Sequence, residues 1–139
     1  MPGALTLPPI AEGLFEAGPP PTLIGGRERA SGRIVFPCPA DRERFEPVRL
    51  PRAGRIWSWT VQRFPPKSPP YAGPAETPFR PYALGYVELP GAVIVESRLD
   101  GFDFDTLKVG LPCTLRLVPF GDRLTYAFGP PDEPTEQEP

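Results

Sequence analysis

An all-β chain is what this sequence predicts, and three observations predict it. Short runs of residues alternate apolar and polar side chains, the two-residue period of a half-buried strand. Between those runs sit clusters drawn from 24 prolines and 14 glycines in 139 residues, residues that set turns and stop regular structure. Five such runs succeed one another, with a single helical turn between the third and the fourth.

Residues 1–22 form an N-terminal extension in which residues 10–17 predict a short helical turn, anchored by Leu14 and Phe15 and stopped by Gly18 and the prolines after it. Residues 23–46 contain "GGRERASGRIVFPCP", the skeleton of one zinc-ribbon knuckle: a tight Ser31-Gly32 turn, then a strand over residues 33–36. In such a knuckle two ligands sit three residues apart, and here those positions are Glu28 and Ser31. Neither supplies a thiolate. Cys38, just beyond, is the one thiol nearby.

Residues 47–129 predict the five strands. The first spans 54–64, "GRIWSWTVQRF", with Trp57, Trp59 and Val61 on one face. A Pro-rich loop comes next, whose prolines forbid a central strand. Residues 82–89 and 92–99 predict a hairpin about Pro90-Gly91, since proline fixes the first central φ of a type II turn and glycine accepts the positive second one. Asp103 or Asp105 is placed to cap a helical turn over 106–108 ended by Gly110. Strands over 112–120 and 123–128 close the set through a Gly121-Asp122 turn. Five strands with a helical turn after the third is the order of the OB-fold barrel. Residues 130–139 are Pro and polar or acidic residues, and predict a disordered acidic tail.

Composition narrows the chemistry. A net charge of −2 gives no bulk basicity for nucleic acid, and zero histidines remove the usual general base and the commonest metal ligand. Two distant cysteines, Cys38 and Cys113, give no disulfide framework. With no apolar run of membrane-spanning length and no signal-peptide pattern, the expectation is a cytoplasmic protein with reduced thiols. Charge is segregated: residues 27–67 hold ten Lys/Arg and four acids, while residues 68–139 hold five and eleven. That is either ordinary solvated surface or a side that faces an anion or a partner.

Several stretches taken together carry a resemblance: "LIGGR", "SGRIVFP", "EPVRLPRAGRIWSWTVQRFPPKSPPYAGP", "PYALGYVELPG" and "VGLPCTLRLVPF". From about Leu23 to Phe128 the chain resembles the acyl-CoA-associated OB-fold proteins catalogued as domain of unknown function 35. The resemblance implies a rubredoxin-like zinc ribbon ahead of an OB barrel. It also implies an accessory subunit of a thiolase-like or lipid-transfer-protein-like enzyme acting on CoA thioesters, with catalytic residues on the partner. The chain departs from that pattern at its ligands. With Glu28, Ser31 and only Cys38, it lacks the four N/S donors of a structural zinc, so a degenerate, zinc-free ribbon and no cofactor are expected.

Candidate site residues lie in the arm and the knuckle. The stiff arm "RFPPKSPPYAGP" reads as solvated loop or as a preordered docking arm, with Phe64, Lys67 and Tyr71, together with Phe36 of the knuckle, meeting the partner. Arg33, Arg63 and Lys67 are candidates for CoA phosphates, because cationic side chains suit phosphate oxygens. Trp57 and Trp59 read as core or partner contact ahead of base-stacking platforms. Cys113, mid-strand, reads as buried and inert, and no residue is assigned a catalytic role. The readings that compete with an accessory subunit are a single-stranded nucleic-acid-binding module and a stand-alone structural homo-oligomer.

Overall fold

The computed structural model describes residues 7–63 and 80–131. Among these described residues nine strands run β1 (Phe15–Glu16), β2 (Thr22–Glu28), β3 (Ile34–Val35), β4 (Phe45–Arg49), β5 (Ala53–Gln62), β6 (Tyr82–Leu89), β7 (Val93–Leu99), β8 (Pro112–Phe120) and β9 (Arg123–Gly129). The last five close a barrel in the order β5-β6-β7-β9-β8. All its pairings are antiparallel except β7 with β9, which run parallel through Arg98↔Ala127 and Leu99↔Phe128. This is the OB barrel that the strand order predicts.

The predicted turns are made as their residues require. Gly91 has φ of 71° and the Ala92 N–H donates to the Leu89 carbonyl at 3.0 Å, so proline and glycine close the β6–β7 hairpin as expected. The helical turn falls slightly earlier than predicted, as a 3-10 turn over Phe104–Thr106. Asp103 caps it, its carboxylate accepting from the Asp105 N–H.

The N-terminal helical turn is a correction. Residues 10–17 hold a bend and a turn leading into β1, which pairs with β2 through Phe15↔Leu23 and Glu16↔Thr22. Phe15 packs on the core, and burial on a sheet overrides the weak local preference for helix. Further upstream, Pro9 bridges Leu124 in parallel, with Ile10 N–H donating to the Leu124 carbonyl at 2.8 Å.

β1 to β4 form a small sheet centred on β2, which pairs with β1, β3 and β4. β4 crosses the predicted 46/47 boundary and belongs to this ribbon sheet by its pairing. The ribbon and the barrel share one core. Leu23 from β2 and Leu50 after β4 join Ile56, Val87, Leu89, Val95, Leu99, Leu115 and Phe128 of the barrel. Leu23 and Phe128 are each 0% exposed, and each contributes about 1.5–3 kcal/mol by leaving water. The short joint between the two parts is held from both sides. Leu50 N–H donates to the Leu23 carbonyl at 3.0 Å, Leu115 N–H to the Arg52 carbonyl at 2.8 Å, and Arg52 Nε to the Pro21 carbonyl at 2.8 Å.

β5 departs from simple alternation. A register shift lies between Ile56, opposite Val87, and Ser58, opposite Tyr86. Such a bulge inserts one residue and turns the rest of the strand onto the other face. Trp57 therefore stands apart from Trp59 and Val61, whose partners are Gly85 and Ala83. Trp57 is 54% exposed and Trp59 38%, so neither is core. Trp57 meets Tyr86 edge-on, with centroids 6.3 Å apart.

Candidate functional site

The ribbon knuckle forms where its turn residues put it. Gly32 N–H donates to the Glu28 carbonyl at 2.7 Å and Glu28 N–H to the Arg33 carbonyl at 2.8 Å. This brings the two degenerate ligand positions together. Ser31 Oγ donates to Glu28 Oε1 at 2.6 Å, and Arg44 Nε donates to Glu28 Oε2 at 2.8 Å. Arg33 Nε lies 3.6 Å from Glu28 Oε1. The Ser31 hydrogen bond, then that of Arg44, hold the Glu28 carboxyl below the usual carboxylate range.

These residues do not fit a structural zinc. Cationic guanidinium groups hold the one carboxylate of the knuckle, and among the described residues no three His, Cys, Asp or Glu side chains group to hold a metal. Cys38 packs beside β2 instead. A Cβ placed on Gly26 would stand 3.0 Å from the Cys38 sulfur, so the thiol uses space that only glycine leaves free.

A second knot stands beside the first. Glu46 on β4 accepts from Arg27 Nε at 2.7 Å and from Arg29 Nη1 at 3.1 Å. The hydrogen bond from Arg27, and then its charge, lower the Glu46 carboxyl. Arg49 reaches Glu16 at 2.9 Å, and Arg55 Nη1 donates to the Gly110 carbonyl at 3.0 Å. Most of the basic residues counted in the sequence are therefore fasteners of the ribbon and its joint. Arg33, a phosphate candidate, is among them, although its side chain is 58% exposed.

Phe36 meets the barrel. Its ring stands edge-on to Tyr126, with centroids 5.6 Å apart, and Tyr126 Oη donates to the Glu96 carbonyl at 3.0 Å. Burial and then the Glu96 charge raise the Tyr126 phenol above its ordinary value. Phe36 is thus half-buried, and only its remaining surface is open to another protein. Phe64, Lys67 and Tyr71 lie outside the described residues.

Arg63 leaves the ribbon group. Its guanidinium lies 5.8 Å from the centre of the Phe104 ring. Phe104 lines a concave pocket of about 270 Å³ at one end of the barrel, with Arg80, Tyr82, Arg98, Asp100 and Phe102. Arg98 stacks over Tyr82 at 3.9 Å. Nothing in the sequence groups Arg80, Arg98 and Phe104. They come from three separate stretches, and only closure of β6 on β7 and the 3-10 turn brings them together.

The two thiols stand in different surroundings. Cys113 is 1% exposed, and burial pushes it up to about 11 against the lowering effect of a backbone hydrogen bond from Gly54. Cys38 is half-buried and free.

A family model described as the C-terminal OB-fold domain of ChsH2 matches residues 47–118, more than half of the chain. The chain belongs to this family. The ChsH2 OB-fold match begins within β4 and ends within β8, so it spans most of the barrel. A solved structure described as "Ltp2-ChsH2(DUF35) aldolase" resembles the chain with a TM-score of 0.60. It is 22% identical and covers 78% of this chain and 84% of that one. At that identity the likeness carries the fold. The resemblance to domain of unknown function 35 is thereby borne out. No curated protein matches the chain. Among the described residues, no helix of this ChsH2-family chain is long and apolar enough to cross a membrane.

Proposed function

We propose that this chain is a non-catalytic accessory subunit of a thiolase-like or lipid-transfer-protein-like enzyme that acts on acyl-CoA thioesters. The observation that carries the reading is membership of the ChsH2 OB-fold family, alongside a neighbour described as a DUF35-containing aldolase assembly. Its role is to support assembly and the acyl-CoA path, while the partner supplies the reacting groups. Two features support a non-catalytic part: a sequence without histidine, and a Cys113 thiol whose burial disfavours the thiolate. A zinc-free ribbon belongs to the same proposal, supported by the guanidinium groups around Glu28. So does the docking arm, with Phe64, Lys67 and Tyr71 as the residues that meet the partner beside Phe36. The compartment proposed is the cytoplasm.

The test is affinity purification of the tagged full chain from its native cell, with identification of the proteins that accompany it. A thiolase-like protein recovered in a fixed ratio supports the reading, and a chain recovered alone as a homo-oligomer overturns it. A Lys67→Ala, Tyr71→Ala double variant is expected to weaken the complex about thirtyfold, the cost of losing a central aromatic anchor, with an unchanged melting curve. Turnover of acyl-CoA by the pure chain, abolished by Cys38→Ala, would overturn the non-catalytic assignment.

One observation favours a second reading. Trp57, Trp59 and Tyr86 are exposed, as base-stacking platforms must be. Glu88 and Glu96 stand on the Tyr86 face of the sheet, Glu96 directly opposite Tyr86, and repel a phosphodiester backbone. A salt-sensitive gel shift with a single-stranded oligonucleotide decides for the second reading.

A further inference from the structure

The outer face of the barrel over β5, β6 and β7 carries a pattern set by the strand register. Ser58, Tyr86 and Glu96 stand side by side in one row across the three strands. Thr60, Leu84 and Arg98 form the next row on the same face. Gly85 and Ser97, between the two rows, are buried and point inward. Each outward row therefore runs from a hydroxyl through a large side chain to a charge. The charges that end the two rows are opposite in sign.

Apolar surface surrounds this block. The bulge in β5 sets Trp57 beside Tyr86, and Ile94 stands one row further along β7, opposite Glu88. Trp57, Tyr86 and Ile94 are all among the exposed large side chains. A monomer seldom gathers such side chains on one face. Two sheets that pack face to face bury rows of this kind across a gap of about 10 Å.

We infer that this face binds a second copy of the chain in a two-fold dimer. A two-fold axis lying across the strands, midway between the two rows, carries each row onto the other. Tyr86 of one copy then faces Leu84 of the other, Ser58 faces Thr60, and Glu96 faces Arg98. Every contact is made twice, as an isologous interface requires. Arg98 stacks over the Tyr82 ring at 3.9 Å, which positions its guanidinium and leaves its edge for a carboxylate. In the row beyond, Arg55 stands opposite Glu88, so that row adds no net charge. Opposite charges at matched places fit a second copy better than a uniformly acidic or basic partner. The dimer uses none of Phe36, Phe64, Lys67 or Tyr71, so it stands or falls apart from the accessory-subunit reading.

The test is sedimentation equilibrium of the pure full chain over a series of concentrations, where one monomer–dimer equilibrium is expected. Glu96→Arg and Arg98→Glu each set like charges face to face at both symmetric contacts. Each is expected to weaken the dimer about tenfold or more. Mixing these two variants is expected to restore a dimer, since every arginine then meets a glutamate. Glu96 and Tyr86 are exposed, so Glu96→Arg and Tyr86→Ser, both expected to weaken the dimer, keep the test valid should Arg98→Glu disturb the fold. Arg44→Ala, in the ribbon, is expected to leave the dimer unchanged. A chain that is monomeric at every concentration, including one that binds a different protein through Trp57 and Tyr86, overturns the inference. So does a dimer that Glu96→Arg leaves intact, a mixture of the two folded charge variants that stays monomeric, or growth beyond the dimer. A thiolase-like protein that still accompanies a monomeric Glu96→Arg chain separates this face from the docking proposal.

Discussion

Ser31 donates a 2.6 Å hydrogen bond to Glu28 across the turn of the ribbon knuckle. The knuckle is fastened by side chains of its own. A carboxylate, a hydroxyl and two guanidinium groups meet there, a set that does not suit a structural zinc. The purified chain is therefore expected to contain well under one zinc per molecule by elemental analysis. Stoichiometric zinc that persists through dialysis against a chelator contradicts this.

These carboxylates make the ribbon sensitive to acid. Glu28 and Glu46 have carboxyl groups lowered in the folded state by their hydrogen bonds to Ser31 and to Arg27. A group whose folded pKa is depressed adds stability that is fully present above the unfolded value, about 4.3 for Glu, and lost as pH falls through the folded one. The melting temperature is expected to fall with pH below about 4.3, and to fall less steeply in Glu28→Gln and Glu46→Gln. Added salt is expected to shrink the difference between wild type and variants, since both knots are accessible to water. Parallel pH curves for all three proteins would show that other carboxylates govern the acid limb.

Leu23 tests whether ribbon and barrel unfold together. It comes from β2, is 0% exposed and sits among barrel side chains. Leu23→Ala is expected to cost about 2–5 kcal/mol and to move one cooperative transition. Two separate transitions in wild type would show that the shared core does not couple the parts. Phe36→Ala removes an edge-on aromatic pair with Tyr126 and is expected to cost less than Leu23→Ala, whose side chain is wholly enclosed.

The thiols differ by environment. Cys113 is buried, with its pKa pushed up to about 11, while Cys38 is half-buried at the ribbon. A thiol reagent at pH 8 is expected to modify Cys38 first and to reach Cys113 only as the chain unfolds. Cys38→Ala should abolish the fast phase. Two equal fast phases in the native protein would contradict the burial of Cys113.

Much of the barrel is legible in the sequence because each of its strands is short, alternating and bounded by turn residues whose geometry admits few options. Pro90-Gly91 is the clearest case, with Gly91 at the positive φ that its place in the turn demands. The N-terminal segment misleads because Leu14 and Phe15 suit one turn of helix locally, and only the presence of β2 makes a strand the better burial. Trp57 and Trp59 fall on different faces from those expected because a single bulge residue leaves no mark in the alternation before it. The arginine pairings of the ribbon are invisible for another reason. Arg27 and Glu46 lie 19 residues apart, and sequence spacing alone cannot join them. The same limit hides the Arg80 and Arg98 pocket, whose members meet only across closed strands.

If the knuckle around Glu28 is fastened without metal, as proposed, that sets what the protein depends on from its surroundings. A ribbon clasped by thiolates and zinc must compete for a trace nutrient during synthesis, and it fails when an oxidant takes the thiolates. A ribbon clasped by Glu28, Ser31, Arg33 and Arg44 draws all its parts from its own translation and offers an oxidant nothing at the clasp itself. Its hazards become those of a surface charge network instead: acidity, high ionic strength and loss of any one arginine.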